Sequence, residues 1–180
     1  MKDEPFTNRV KFSSQNKIFC LIVCIGLLAG FFLKIFVFEI LTVSGLSMFP
    51  AIQDGEKLFV SKIAYGLVKP YGECLLCQWN KPKRGDIVIY LYNNKIVVKR
   101  CLAISGDKLE YSIDNDYNHI LSVGDSKIIL NEEQYQNLKN SLSVPEGYIL
   151  AIGDNQSVSV DSRYYGFVKE KNILGKVLCK

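Results

Sequence analysis

A chain of 180 residues with 22 basic and 18 acidic side chains, a net charge of +4 and one histidine has room for one domain with a real core plus an appendage, and not for a second full domain. The charge is spread along the sequence rather than gathered in a stripe. That distribution lacks the electrostatic footprint of a nucleic-acid binder.

The appendage comes first. Residues 18–33, IFCLIVCIGLLAGFFL, carry no charge; Lys34 follows, and the apolar run resumes as IFVF before Glu39. At about 1.5 Å per residue the uncharged part covers about 24 Å of a hydrocarbon core of roughly 30 Å, and a snorkelling Lys34 lets the next turn count. The run predicts a membrane anchor over 18–38 behind a tail at 1–17. A signal peptide also places basic residues ahead of an apolar stretch, but this run is longer than a signal core and no small-x-small cleavage site follows it. Lys2, Arg9, Lys11 and Lys17 precede the span, whereas only Lys34 lies close behind it. The positive-inside rule therefore predicts a cytoplasmic N-terminus and an extracytoplasmic domain over 39–180.

Beyond the span, short β-branched and aromatic runs alternate with Gly, Asp, Asn and Pro: KLFVSKIAYGLV, GDIVIYLY, KIVVKRCLAI, KIIL, GYILAIGD and ILGKVLC. Runs of four to eight residues between turn signals predict a mainly β domain. Residues 131–142, NEEQYQNLKNSL, predict a short surface helix. Of six cysteines, Cys20 and Cys24 fall in the span one turn apart and read as packing residues. Cys74 and Cys77 form CLLC in a loop-like stretch facing an oxidising compartment, and a local disulfide is expected there. A zinc site needs two further ligands, and no second pair has metal spacing. Cys101 and Cys179 read as small buried hydrophobes.

Three segments carry chemistry. Residues 43–50 read VSGLSMFP. Arg84-Gly85-Asp86 leads into a strand, followed by Val97-Val98-Lys99-Arg100 and the turn Ser105-Gly106-Asp107. Residues 144–168 read VPEGYILAIGDNQSVSVDSRYYGFV. A serine hydroxyl is a poor nucleophile near neutral pH and needs a base within hydrogen-bond reach. His119 can serve only if its polar loop, NDYNHI, folds back onto Ser47, and histidines in such loops are usually solvated. A lysine must be neutral to act, and moving its pKa from about 10.4 to near 7 takes roughly 4–5 kcal/mol of desolvation and field effects. Lys99 interrupts a β-branched strand, where side-chain alternation puts Val97, Lys99 and Cys101 on one face and Val98, Arg100 and Leu102 on the other. If the first face is buried the ammonium is desolvated; if it faces solvent Lys99 is an ordinary surface charge. The pattern alone does not choose.

These segments, taken in order, resemble the sequence boxes of the type I signal peptidases, membrane-bound Ser/Lys proteases that remove signal peptides from exported proteins. GLSMFP resembles the nucleophile box, RGDIVIY and VVKRCLAISGD the lysine box, and GDNQSVSVDSRYYG the late acidic box. The resemblance runs over most of the chain. It implies a mainly β catalytic core of two small antiparallel sheets behind one transmembrane helix, with Ser47 as nucleophile and Lys99 as general base. Ser159 falls where a hydroxyl orients the lysine, and Asp161 and Arg163 fall on the pair that braces the region. Some members carry a hydroxyl residue two places before the nucleophile. Here that place is Gly45, so the oxyanion would rest on the Ser47 backbone N–H or on Ser44. Gln156 stands where the late box usually has arginine, and Val158 and Ala51 replace commoner polar residues. The stretch between the lysine box and residue 144 is short, so the large extra domain of some members is absent or reduced to a cap.

The expected substrate is the signal peptide of an exported preprotein, lying extended along the strands that carry Val43, Leu46 and Val97. Membrane lipid is the other expected partner, with no nucleic acid, cofactor or metal, and a monomeric enzyme. Two rival readings exist. A repressor-type autoprotease also pairs a G-x-S-M serine with a strand lysine, but it would carry a DNA-binding domain or a soluble arm in place of this span. A non-catalytic or specialised relative, acting for example on pilin-like or plasmid-transfer substrates, shares the same boxes, and Gln156 and Val158 are the positions that favour it.

Overall fold

The computed structural model describes residues 14–69, 72 and 74–180, so 1–13 of the expected tail lie outside the described residues. The chain divides into a helical unit ending at Phe36 and a β unit, Val37–Lys180.

The helical unit is α1 (Ser14–Phe36), 23 residues with Lys34 in its last turn, where a cation meets the carbonyl end of the helix. At about 1.5 Å per residue it is about 34 Å long. Ile18, Leu21, Leu28 and Phe31 are all exposed on it, and a helix apolar all round calls for apolar surroundings. Among the described residues it is the one helix long and apolar enough to cross a membrane.

The β unit contains β1 (Phe38–Thr42), β2 (Lys57–Ser61), β3 (Gly66–Val68), β4 (Leu75–Gln78), β5 (Ile87–Tyr92), β6 (Lys95–Ile104), β7 (Glu110–Ile113), β8 (His119–Val123), β9 (Ser126–Leu130), α2 (Glu132–Leu138), β10 (Tyr148–Ile152), α3 (Ser162–Tyr165), β11 (Val168–Lys169) and β12 (Ile173–Cys179). Seven strands form a sheet in the order β1-β2-β12-β5-β6-β10-β11, β3 and β4 a ribbon, and β7-β8-β9 a third sheet. Every pairing is antiparallel. The mainly β class expected from the sequence is thus what the chain adopts. Its strands distribute over one seven-stranded sheet and two smaller ones.

Local chemistry accounts for the central hairpin. Asn93 and Asn94 have φ of 49° and 59°, and Tyr92 pairs with Lys95 across them. A two-residue hairpin turn requires positive φ at both positions, which asparagine tolerates better than other side chains. The register that follows sets Val88 opposite Lys99 and Ile87 opposite Arg100.

Strand alternation then buries both faces of the sheet. On β10, Ile149 and Ala151 pack with Tyr65, Val88, Tyr90 and Cys101, while Leu150 and Ile152 pack with Leu121, Ile128, Leu130 and Leu138. Full burial of a side chain of this size is worth about 1.5–3 kcal/mol, so the second cluster ties β7-β8-β9 and α2 onto the sheet as a cap. The expected surface helix is α2: Asn131 Oδ1 accepts the Gln134 N–H at 2.9 Å and Gln134 Oε1 accepts the Asn131 N–H at 3.0 Å, a reciprocal cap that satisfies two orphan donors. A third cluster, Met48, Ile52, Leu58, Val60 and Ile89, lies beneath the segment after β1.

Two cysteine expectations are corrected. Cys74 and Cys77 are free thiols, as are all six cysteines. The chain between them enters β4, and three extended residues separate the Cα atoms by roughly 10 Å, beyond the ~7 Å a disulfide spans. Cys179 is exposed rather than buried, because it ends β12 at a register shift against β2. Cys101 is fully buried, and burial pushes its thiol up to about 12. Maleimide labelling of the native protein followed by peptide mass spectrometry is expected to modify Cys77 and Cys179 and to leave Cys101 unmodified until the fold is melted. Protection of Cys74 and Cys77 that is lifted by a reductant would contradict the free thiols.

Candidate active site

Ser47 sits in the turn that leaves β1, and three contacts hold that turn. Gly45, at φ +107°, donates its N–H to Asp54 Oδ1 at 2.7 Å; a side chain would be strained at this φ. Met48 is 1% exposed in the cluster below, so its burial turns the neighbouring Ser47 away from the core. The Ser47 carbonyl accepts the Asn155 N–H at 3.0 Å. The Ser47 N–H itself has no acceptor among the described residues.

Lys99 reaches the serine from β6. Its Nζ lies 2.9 Å from Ser47 Oγ and 3.1 Å from the Val98 carbonyl. The side chain is 4% exposed, so of the two readings of the strand the buried one applies. Burial lowers the Lys99 pKa below that of an ordinary lysine; the Asp161 carboxylate pulls it back up and the Arg163 guanidinium pushes it down.

The late acidic segment forms the wall behind the lysine. Ser159 is 2% exposed, and its Oγ has no hydrogen-bond partner among the described residues; the lysine's own bonds go to Ser47 and Val98. Asp161 and Arg163 are 0% and 1% exposed. Arg163 Nε donates to Asp161 Oδ1 at 2.8 Å and Nη2 to Oδ2 at 2.9 Å, and Nη2 also reaches the carbonyls of Gln156 and Ser159 at 3.0 and 3.3 Å. Asp161 accepts the Gly153 N–H at 3.0 Å as well. A Cβ at Gly153 would stand 2.2 Å from Ser159 Oγ and 2.5 Å from the Ser47 carbonyl oxygen. Only glycine fits where these two serines converge.

A cleft of about 340 Å³ opens beside the pair, lined by residues 41–44, Ser47, Met48 and 96–99. Val43, Ser44 and Val97 therefore line it. Leu46 does not; it is exposed, and its carbonyl accepts the Phe49 N–H. Ser44 is exposed, and its hydroxyl has no hydrogen bond among the described residues. His119 is held elsewhere, 3.0 Å from Glu132 Oε2 and stacked on Tyr135 at 3.8 Å. The departures at Gln156 and Val158 are exposed side chains, and Gln156 serves through its carbonyl, which any residue supplies.

Three groups at this site carried no assignment in the sequence. Asp54, in the turn Asp54-Gly55, sets the Gly45 amide. Asn155 grips the Ser47 carbonyl. Arg100 holds Asp154 with Nε and Nη2, each at 2.7 Å, fixing the Gly153–Asn155 loop from the next position on β6. For Asn155, and for the Asp154 that Arg100 holds, the signal was the GDN triplet, a polar turn directly after a buried strand; Asp54 was marked only by the turn pair Asp54-Gly55.

The Asp161–Arg163 pair makes a prediction. Removing one partner of a buried ion pair leaves an uncompensated charge and costs about 3–5 kcal/mol. Urea unfolding of Asp161→Asn is expected to show a loss of that size, and a midpoint equal to wild type would contradict it.

Known proteins carry the same sequence pattern. Residues 15–180 match the family described as signal peptidase, peptidase S26. Signal peptidase I of Buchnera aphidicola subsp. Acyrthosiphon pisum (strain APS) is 26% identical over 84% of this chain and 70% of its own. Signal peptidase IB of Staphylococcus aureus (strain N315) is 32% identical over 76% of this chain and 73% of its own. A signal peptidase I from Enterococcus faecalis V583, solved as a crystal structure, is 31% identical, with a TM-score of 0.39 over 56% of this chain and 98% of its own. With a family match that spans nearly all of α1 and the entire β unit, this chain belongs to the S26 signal peptidases and is of their type I.

Proposed function

We propose that this protein is a membrane-anchored serine endopeptidase that cleaves signal peptides from exported preproteins with a Ser47–Lys99 dyad. Signal-peptide cleavage by a serine peptidase is the activity of the family. The observation that carries the dyad is the 2.9 Å contact between Ser47 Oγ and a lysine Nζ that is almost wholly buried.

The chemistry follows from that contact. In its neutral form Lys99 presents a lone pair, and the Ser47 hydroxyl donates to it. As Oγ bonds to the scissile carbonyl carbon, its proton passes to Nζ; the resulting ammonium then gives the proton to the leaving amine, and the C–N bond breaks. Water attacks the acyl-enzyme, with Lys99 taking a proton from it, and Ser47 leaves as the hydroxyl. The Ser47 N–H, free of protein acceptors, is the donor for the oxyanion, an interaction of the kind worth about two to three orders of magnitude in rate. Asp161 and Arg163 act by holding the Gly153 and Ser159 wall against the lysine.

The substrate enters as an extended strand. β1 is at the edge of the sheet, and the Val43 backbone is spent inward, donating to the Glu56 carbonyl and accepting from the Gly55 N–H. Alternation leaves the Thr42 and Ser44 main-chain groups facing outward. On β6, β10 covers only 100–104, which leaves 96–98 along the cleft. A peptide between the two gains main-chain hydrogen bonds from both sides. The anchor is α1, with the tail cytoplasmic, as the four basic residues ahead of its apolar run favour, and the β unit outside.

Cleavage of a preprotein with an Ala-x-Ala site in detergent is expected from wild type and absent in Ser47→Ala and Lys99→Ala, each folded by circular dichroism; full activity in either variant would sink the dyad. The lowered pKa makes a second prediction. Between the folded value and the unfolded value near 10.4 the unfolded chain binds the extra proton. The cost of charging buried Lys99 is therefore fully present below the folded pKa and vanishes as pH rises to the unfolded one. Lys99→Met is expected to melt higher than wild type at neutral pH and to lose that advantage near about pH 10, whereas wild-type kcat/KM climbs with pH as Lys99 deprotonates. A melting difference independent of pH would refute the assignment of that titration to Lys99.

A further inference from the structure

We propose that Asn137, on the cap and outside the segments that form the site, is a positioning residue for the reaction: its side-chain amide closes the carboxyl end of α3 and thereby holds the Asp161–Arg163 brace in place. The inference rests on the dyad reading above.

A helix of four residues cannot hold itself. Its last carbonyls have no partners within the helix, and nucleation is unfavourable at this length. At the front, Asp161 caps α3 by accepting the Arg163 N–H at 3.1 Å. At the back, Asn137 Nδ2 donates to the carbonyls of Arg163 at 3.4 Å and Tyr164 at 3.1 Å, and Asn131 Nδ2 lies 3.5 Å from the Tyr164 hydroxyl. These donors come from a firmly seated element. Beside its N-terminal capping box, α2 buries Leu138 completely, and Tyr111 Oη donates to the Leu138 and Ser141 carbonyls at 2.8 and 3.1 Å.

From α3 the route to the reacting atoms is short. Ser162 Oγ accepts the Ala151 N–H at 3.0 Å, Arg163 grips Asp161 and the Gln156 and Ser159 carbonyls, and Asp161 holds the Gly153 N–H. Asp161 and Arg163 are also the two charges that act on Lys99, in opposite directions. The residue whose carbonyl Asn137 caps is thus the residue whose guanidinium lies over the lysine wall. A looser α3 lets water toward Lys99 and favours its charged form.

The test uses the full-length enzyme in detergent with Asn137→Ala and the isosteric Asn137→Asp, which removes the two N–H donors. For each, kcat and KM are measured across pH beside the melting temperature, with wild type and Lys99→Ala in parallel. Both variants are expected to lose about tenfold in kcat with KM within about twofold, and to shift the acid limb of kcat/KM to higher pH by about half a unit or more. A lowered melting temperature with an unmoved acid limb would make Asn137 a structural brace only and overturn the proposal, as would variants identical to wild type. An active Lys99→Ala, or a wild type without an acid limb, would instead remove the dyad reading on which the proposal stands.

Discussion

In the proposed dyad the amine of Lys99 must lose its proton near neutral pH and so has to be kept from water, and the packing of the β unit around it answers that demand. Lys99 stands between Val97 and Cys101 on a face whose neighbours are Val88, Tyr90, Ala151 and Ile149. Desolvation is the leading cause of its lowered pKa, and desolvation needs walls on all sides. β5 supplies one through the register fixed by the Asn93-Asn94 turn. The late acidic segment supplies another. Ser47 closes the third, so the hydroxyl that contacts the amine is itself part of its enclosure.

The opposing demand is that a nucleophile must face outward to meet its substrate. The chain resolves it by alternating what is buried along one turn. Met48 goes down into the cluster of Ile52, Leu58 and Val60, Leu46 goes out, and Ser47 lies half-buried between them. Gly45 and Asp54 hold the turn on one side and the Asn155 N–H on the other. Gly153 lets this second hold come close, since the space a methyl group would need is taken by Ser159 and the Ser47 carbonyl. Close packing of backbone against backbone at this point keeps the serine at 2.9 Å from the lysine, rather than merely near it.

Behind the wall lies a buried ion pair, a costly element in a β unit of this size. Two charges taken from water recover their desolvation only with near-ideal geometry and full hydrogen bonding, and Asp161–Arg163 meets both conditions through two side-chain bonds and four to the main chain. An apolar pair of the same volume would fill the space as well. It would not place a positive and a negative charge against Lys99, nor hold the Gly153 amide and the Ser159 carbonyl at fixed points. The ion pair is therefore best understood as a device for position, and the cap as what keeps it aligned from outside.

Much of this was legible in the residues. Short β-branched and aromatic runs between turn signals marked the strands of the central sheet because both faces of that sheet are buried, and an uncharged apolar stretch of membrane-spanning length marked α1. The short polar helix expected over 131–142 forms as Glu132–Leu138, with Asn131 as its cap. Short elements escaped: β1 merged with the end of the apolar stretch, and β7 and β8 are too polar on their outer face to alternate clearly. Ser47 and Lys99 stood out as residue types, yet the pattern of the strand left Lys99 poised between a surface charge and a buried base. Only tertiary structure decided that, because burial is set by what packs on a strand from segments 50 residues before and after it. The same holds for the cysteines, where spacing suggested a bridge that extended geometry forbids. It holds too for Asn137, whose partners lie on a helix that no local pattern links to it. Local sequence determined which elements form, and their packing alone determined which side chains lose contact with water, and that loss is what lowers the pKa of Lys99.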